Sequence, residues 1–186
     1  MKLCFKITLS LLILTNFVFA QKAVKAPKIP VSEETKLFTY TKVVETPGAG
    51  KAELYDRTFA WLSAFYKNPS DVLREKDRDA GTMLLKARFK ISNMADKKSG
   101  VATAAGDVQY TLKFDFKDGK FRYTLTDINW KQLSYFAAEK WLDKTNQYYS
   151  PNWDYYLQQT DDNCKKIVAD LEKAITTAKV EKKDDW

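Results

Sequence analysis

The chain has 186 residues, 31 lysines and arginines against 24 acids, and no histidine, for a formal net charge of +7. The missing imidazole excludes Ser/His and Cys/His triads, histidine general bases and histidine-ligated zinc. The length suits one domain that buries roughly 70% of its unfolded surface and needs no disulfide staple.

Residues 1–20 read as an export signal peptide. Lys2 and Lys6 form a positive head, Ile7 to Val18 an apolar stretch, and Val18-Phe19-Ala20 an exit before Gln21. An uncleaved anchor is the competing reading. Crossing a bilayer takes about twenty apolar residues, and this run is shorter and broken by Thr8, Ser10, Thr15 and Asn16. The expectation is an exported protein, periplasmic or secreted, with no transmembrane span after cleavage. Cys4 precedes the apolar run, so it is no lipobox cysteine, and it leaves with the signal. Cys164 then has no intramolecular partner and sits on an apolar helix face, where a cysteine packs as a small hydrophobe.

Residues 21–36, with Pro27, Pro30 and several lysines, read as a flexible linker, and residues 37–186 as the domain. A strand over 37–44 is stopped by Pro47-Gly48-Ala49-Gly50. A helix follows over about 51–67, with Leu54, Thr58, Trp61, Leu62 and Phe65 on one stripe, widened by Tyr55, Phe59 and Tyr66. Asn68-Pro69-Ser70 ends it, because proline cannot continue the ladder. Strands over 72–76 and 82–91 flank a turn at Asp77-Arg78-Asp79-Ala80-Gly81. Strands over 108–117 and 120–128 form the clearest hairpin, since Val108, Tyr110, Leu112, Phe114 and Phe116 alternate without a fault. Asp118-Gly119 is read as two left-handed residues of a tight turn, which sets Phe116 opposite Phe121, Phe114 opposite Tyr123, Leu112 opposite Leu125 and Asp115 opposite Arg122.

Leu133, Phe136, Ala137 and Trp141 predict a short helix. A longer one over 154–179 carries Leu157, Thr160, Cys164, Ile167, Leu171, Ala174 and Ala178 three and four apart. The order β-α-β-β-β-β-α-α gives an α+β fold, an antiparallel sheet of about five strands with helices on one face.

The stretch Val43-Val44-Glu45-Thr46-Pro47-Gly48, then Lys51-Ala52-Glu53-Leu54-Tyr55-Asp56-Arg57 and Trp61, resembles the opening of domain-of-unknown-function family 4468. Asp77, Ala80-Gly81 and Asp184-Asp185-Trp186 are similar to further features of that family. The resemblance implies a TATA-box-binding-protein-like fold in an exported bacterial protein, and no activity. Gly50 departs from it, since a serine capping the helix is expected there and glycine is a weaker cap. Nucleic acid is not an expected partner: there is one copy of the fold, an export signal, and too little basic charge for a duplex.

Several motifs have plain explanations. Gly48-Ala49-Gly50-Lys51 lies where a phosphate loop would, but Glu45 and Ala52 break the pattern. Asp77 to Gly81 lacks the third ligand of a calcium loop, and Arg88 stands where its bidentate acid belongs. Asp161-Asp162 and Asp184-Asp185 are adjacent acids that cannot straddle one glycosidic bond. No cofactor or metal is expected.

Two surfaces remain. With Met83, Leu85, Ala87 and Phe89 facing the helices, Lys86, Arg88 and Lys90 turn outward beside Lys113, Thr111, Arg122, Thr124 and Thr126, a cationic, threonine-rich face with Asp115 as counter-charge. The plainer reading is an ordinary water-facing sheet; the functional one is a site for an anionic envelope polymer. Tyr148, Tyr149, Trp153, Tyr155 and Tyr156 form the second candidate, either a contact cluster for a sugar or protein or a clamp that pins the tail helices. The loop over 92–106 is a further candidate contact segment. The expectation is a non-catalytic binding module of the cell envelope, its partner an envelope protein or anionic glycan. The alternatives are a carboxylate-dependent glycan hydrolase and a scaffold that self-associates through the long helix.

Overall fold

A computed structural model describes residues 25–132 and 134–177; the signal-peptide reading and Asp184-Asp185 lie outside them. The strands are Tyr40–Glu45 (β1), Leu73–Asp77 (β2), Thr82–Ser92 (β3), Ala104–Lys117 (β4), Lys120–Lys131 (β5) and Tyr135–Ala137 (β6). They form one antiparallel sheet in the order β1-β5-β4-β3-β2, and β6 shares with β1 the outer edge of β5. Helices Lys51–Phe65 (α1) and Asn152–Thr177 (α3) pack on one face, and Pro69–Val72 (α2) is a single turn. The α+β reading holds, with six strands in place of about five.

Alternation builds the core. Met83, Leu85, Ala87, Leu112, Phe114, Phe116, Phe121, Tyr123 and Leu125 are buried beneath the helices. From α1 come Leu54, Tyr55, Thr58, Trp61 and Leu62, whereas Phe59 and Phe65 stay more than a third exposed. From α3 come Leu157, Thr160, Cys164, Ile167, Leu171 and Ile175, while Ala178 lies outside the described residues. A fully buried aliphatic side chain stabilises by about 1.5–3 kcal/mol, so this stripe is a principal anchor of α3. The same burial corrects the scaffold reading: the apolar face of the long helix is spent on its own sheet. Polar contacts fix its rotation, with Tyr40 Oη donating to Asp161 (2.8 Å), Trp61 Nε1 to Asp170 (2.8 Å) and Tyr123 Oη to Glu172 (2.6 Å).

The β4–β5 hairpin has the expected register, Phe116 on Phe121, Phe114 on Tyr123, Leu112 on Leu125 and Asp115 on Arg122. Its turn differs. Only Gly119 is left-handed (φ +76°), and Asp118 is not. The reason is tertiary. The loop between β1 and α1 sits on the turn, with Gly119 N–H donating to Ala49 C=O (2.8 Å) and Thr46 N–H to Gly119 C=O (2.7 Å). Asp118 then accepts the Lys51 N–H at 2.7 Å and caps α1, whose own N-cap Gly50 offers no side chain.

Three other readings are corrected. Of the short helix predicted from Leu133, Phe136, Ala137 and Trp141, Leu133 lies outside the described residues, and the rest is instead β6 followed by a 3-10 turn at Ala138–Leu142. β5 runs to Lys131, and its extra edge pairs with Tyr135–Ala137. A strand beginning at Val72 gives way to α2, because Pro69 stands at a first helical position where its missing N–H costs nothing. Folded structure also begins before Leu37. Val31 bridges Phe38, Thr39 N–H reaches Pro30 C=O, and Ala26 and Ile29 pack on the core.

Candidate functional site

Among the described residues, the other face of the sheet carries no long helix. Its outward side chains form rungs across the strands: Thr82–Asp115–Arg122–Val43, Leu84–Lys113–Thr124–Thr41, Lys86–Thr111–Thr126, Arg88–Gln109–Asn129 and Lys90–Asp107–Lys131. The five predicted cations Lys86, Arg88, Lys90, Lys113 and Arg122 all lie here and all are exposed. Three are paired. Arg122 holds Asp115 at 2.8 Å, and Arg88 and Lys90 approach Asp107 at 3.7 and 3.6 Å. Among the described residues, Lys86 and Lys113 have no ion pair. The uncompensated positive charge therefore sits in the middle of the face. Beside it runs a row of threonines, with Thr41 and Thr124 hydroxyls 3.0 Å apart and Thr39 and Thr126 hydroxyls 3.1 Å apart. β-Branched side chains suit a pleated surface, and their hydroxyls keep it wettable.

The face is not flat. In β5 one extra residue sits between the pairs Gln109–Asn129 and Thr111–Thr126, and Asp127 takes a left-handed φ of +59° to make this bulge. The alternation changes phase there. Before it Phe121, Tyr123 and Leu125 point inward; after it Ile128 and Trp130 do. Asp127 and Asn129 are thereby set on the lip of a depression of about 480 Å³, which Arg74, Lys86 and Tyr135 also line. Its floor includes Thr111, only 6% exposed although it faces outward. Asp127, Asn129 and Tyr135 escape the sequence reading because the bulge and β6 do, while Arg74 on β2 and Gln109 on β4 lie on strands that reading had and were not singled out. The one signal available is Asp127 itself, a poor strand former at the point where a clean alternation fails.

The aromatic cluster divides. Trp153 and Tyr156 are buried, Tyr149 and Tyr155 half-buried, and Tyr148 alone is largely exposed, at 73%. The Tyr156 ring packs tilted against both Trp130 and Trp141 with centroids 5.5 Å away, and Trp153 lies 5.6 Å from Phe136. The contact-cluster reading is thus corrected for Trp153 and Tyr156, which clamp α3 to β5 and β6. The loop over 92–106 closes on itself, since Asp96 Oδ1 accepts the Lys98 and Ser99 amides and the Asn93 N–H reaches Thr103 C=O.

The acids and the thiol have structural tasks. Asp161 is buried and salt-bridged to Lys165 at 2.7 Å, while its neighbour Asp162 is exposed. Asp77 Oδ1 accepts the Ala80 amide and closes the β2–β3 turn. Burial, then the nearby Asp161, pushes the Cys164 thiol well above its ordinary value. Among the described residues no group of three or more metal-ligating side chains gathers, and no helix is long and apolar enough to cross a membrane.

No curated protein matches the chain. The solved structures that share its fold include two bacterial proteins. One is a TBP-like protein from Parabacteroides distasonis, 15% identical, with a TM-score of 0.59 over 81% of this chain and 99% of that one. The other is a DUF4468 family protein from Bacteroides ovatus, 16% identical, with a TM-score of 0.62 over 82% of this chain and 92% of that one. Residues 40–131, from the first residue of β1 to the last of β5, match the family described as a domain of unknown function (DUF4468) with TBP-like fold. The domain formed by residues 40–131 belongs to that family.

Proposed function

We propose that the protein is an exported, non-catalytic binding module of the bacterial cell envelope, and that its open sheet face holds an anionic envelope glycan. The observation that carries this reading is the charge arrangement on that face. Among the described residues, Lys86 and Lys113 stand without an ion pair at its centre beside threonine hydroxyls, with Arg88, Lys90 and Arg122 around them. Both long helices pack on the opposite side, so among the described residues no long helix crosses the path of a linear polymer along the strands. Exposed charges are screened beyond about 8 Å at physiological salt, and binding of this kind weakens as salt rises.

Equilibrium binding to polygalacturonate tests it. Affinity should fall several-fold between 50 and about 200 mM salt, and at least about tenfold in the triple variant Lys86→Ala, Arg88→Ala, Arg122→Ala, about the effect of removing three screened charge contacts. Unchanged affinity in that variant contradicts the reading. Export is tested separately, by whether the mature chain from cells begins at Gln21.

A further inference from the structure

The depression at the β5 bulge combines groups that a generic cationic surface lacks. Its two sides differ in chemistry. On the side of β2 and β3 stand Arg74 and Lys86, cations with no carboxylate within salt-bridge distance among the described residues. On the side of β5 and β6 stand Asp127, Asn129 and Tyr135. Gln109 and Asn129 are directly opposed across β4 and β5, so two amides face the same space. Tyr135 is 60% exposed, and its hydroxyl lies 3.4 Å from Gln109 Oε1. Thr111 Oγ1, on the floor, lies 3.4 Å from Asp127 Oδ2.

We propose that this depression holds one carboxylate-bearing pyranose, a uronic acid unit of an acidic glycan, a proposal that rests on the open face being the binding surface. Complementarity of charge and shape picks the ligand. The carboxylate of the sugar pairs with Lys86 and Arg74. Its hydroxyls, each both donor and acceptor, meet the acceptor-only Asp127 and the mixed amides of Gln109 and Asn129. The apolar face of the ring lies on Tyr135, an exposed aromatic beside polar groups. A phosphate or sulfate ion would use the two cations and bring no ring hydroxyls to Asp127 and the two amides. A neutral sugar would leave both cations unused. The volume of about 480 Å³ falls within the range of small-ligand pockets, roughly 300–1,000 Å³. The bulge has a definite part in this, because its left-handed residue turns an acid toward the depression that Lys86, Thr111 and Asn129 also line.

Calorimetric titration of the whole folded chain with trigalacturonate, neutral galactotriose and dextran sulfate tests the proposal. Trigalacturonate should bind the unaltered protein at least about tenfold more tightly than galactotriose, the worth of one charge-assisted hydrogen bond. Tyr135→Ala and Asp127→Gly should each lower trigalacturonate affinity about tenfold or more. Asp127→Gly should leave dextran sulfate binding equal or tighter, because it removes a repelling charge. Both variants suit the fold, one at an exposed ring and the other at a φ that glycine adopts freely. Galactotriose binding as tightly as trigalacturonate overturns the proposal, as does trigalacturonate affinity indifferent to both substitutions. If dextran sulfate still binds and the triple lysine and arginine variant abolishes it, the open face survives and only the uronate site is lost. If neither anionic ligand binds, the open-face reading falls with it.

Discussion

Asp118 shows how much one surface side chain can do at a distance in sequence. Its neighbours mark it as a turn residue, and the turn is where it sits, yet its carboxylate accepts the first N–H of α1 at 2.7 Å. The helix N-terminus carries partial positive charge, which an acid there stabilises. This borrowed cap supplies what Gly50 cannot, and it occupies the place where a phosphate loop would hold its anion. Asp118→Ala should therefore destabilise the fold by about 1 kcal/mol, the usual worth of a lost N-cap, measured as a shift in urea midpoint at unchanged slope. A change within a few tenths of a kcal/mol would mean that water replaces the carboxylate at no cost. Only the fold brings Asp118 and Lys51 together, so the departure at Gly50 was legible in the sequence and its compensation was not.

At the scale of elements, one hairpin and one helix stripe are legible locally, whereas the short helix read around 133–141 and the strand read from Val72 give way to strand pairing and to the turn at Pro69. The alternation from Val108 to Phe116 and a two-residue loop specify the β4–β5 register by themselves, and the three-and-four spacing specifies the buried stripe of α3. The elements that escaped depend on partners. β6 exists because β5 extends far enough to offer an edge, and the bulge becomes visible only when β4 is laid beside β5. Within the candidate face the five cations follow from simple alternation, whereas Asp127, Asn129 and Tyr135 required both of those features. A left-handed backbone at a residue with a Cβ costs of the order of 1 kcal/mol. Asp127→Gly should accordingly leave the protein as stable or up to about 1 kcal/mol more stable, read from thermal unfolding, while it weakens trigalacturonate binding. A clear loss of stability would show that the Asp127 side chain belongs to the scaffold and not to the site.

At the scale of the molecule, the titration pattern predicts a stability plateau with an alkaline edge. Burial raises the Cys164 thiol from an ordinary value of 9.0, pushes Tyr66 up to about 12, and raises Tyr40, Tyr110 and Tyr123 further still. For such groups the unfolded chain gives up its protons first. Their contribution is fully present below the ordinary values of 9.0 and 10.0 and is lost as pH rises through the raised ones. On the acid side, Arg78 holds Asp56 below its ordinary 3.8, and hydrogen bonds to Ser99 and Thr145 do the same for Asp96 and Asp143. That stability is present above 3.8 and lost as pH falls. It is small, since all three acids are well solvated. With no histidine to titrate between, the unfolding midpoint should stay level from about pH 5 to 8 and drop above about 9. A steep change near pH 6.5 would contradict this.

The two faces of the sheet divide the labour, one spent on the helices and the other left to the solvent with its charge unbalanced at the centre. Amide chemical shifts recorded during titration with polygalacturonate test that division most directly. The account predicts saturable shifts along β3, β4 and β5, strongest around Lys86, Thr111 and Asp127, with α1 and α3 unmoved. Shifts confined to the helices and to Tyr148, or none on the open face at saturating glycan, would contradict it.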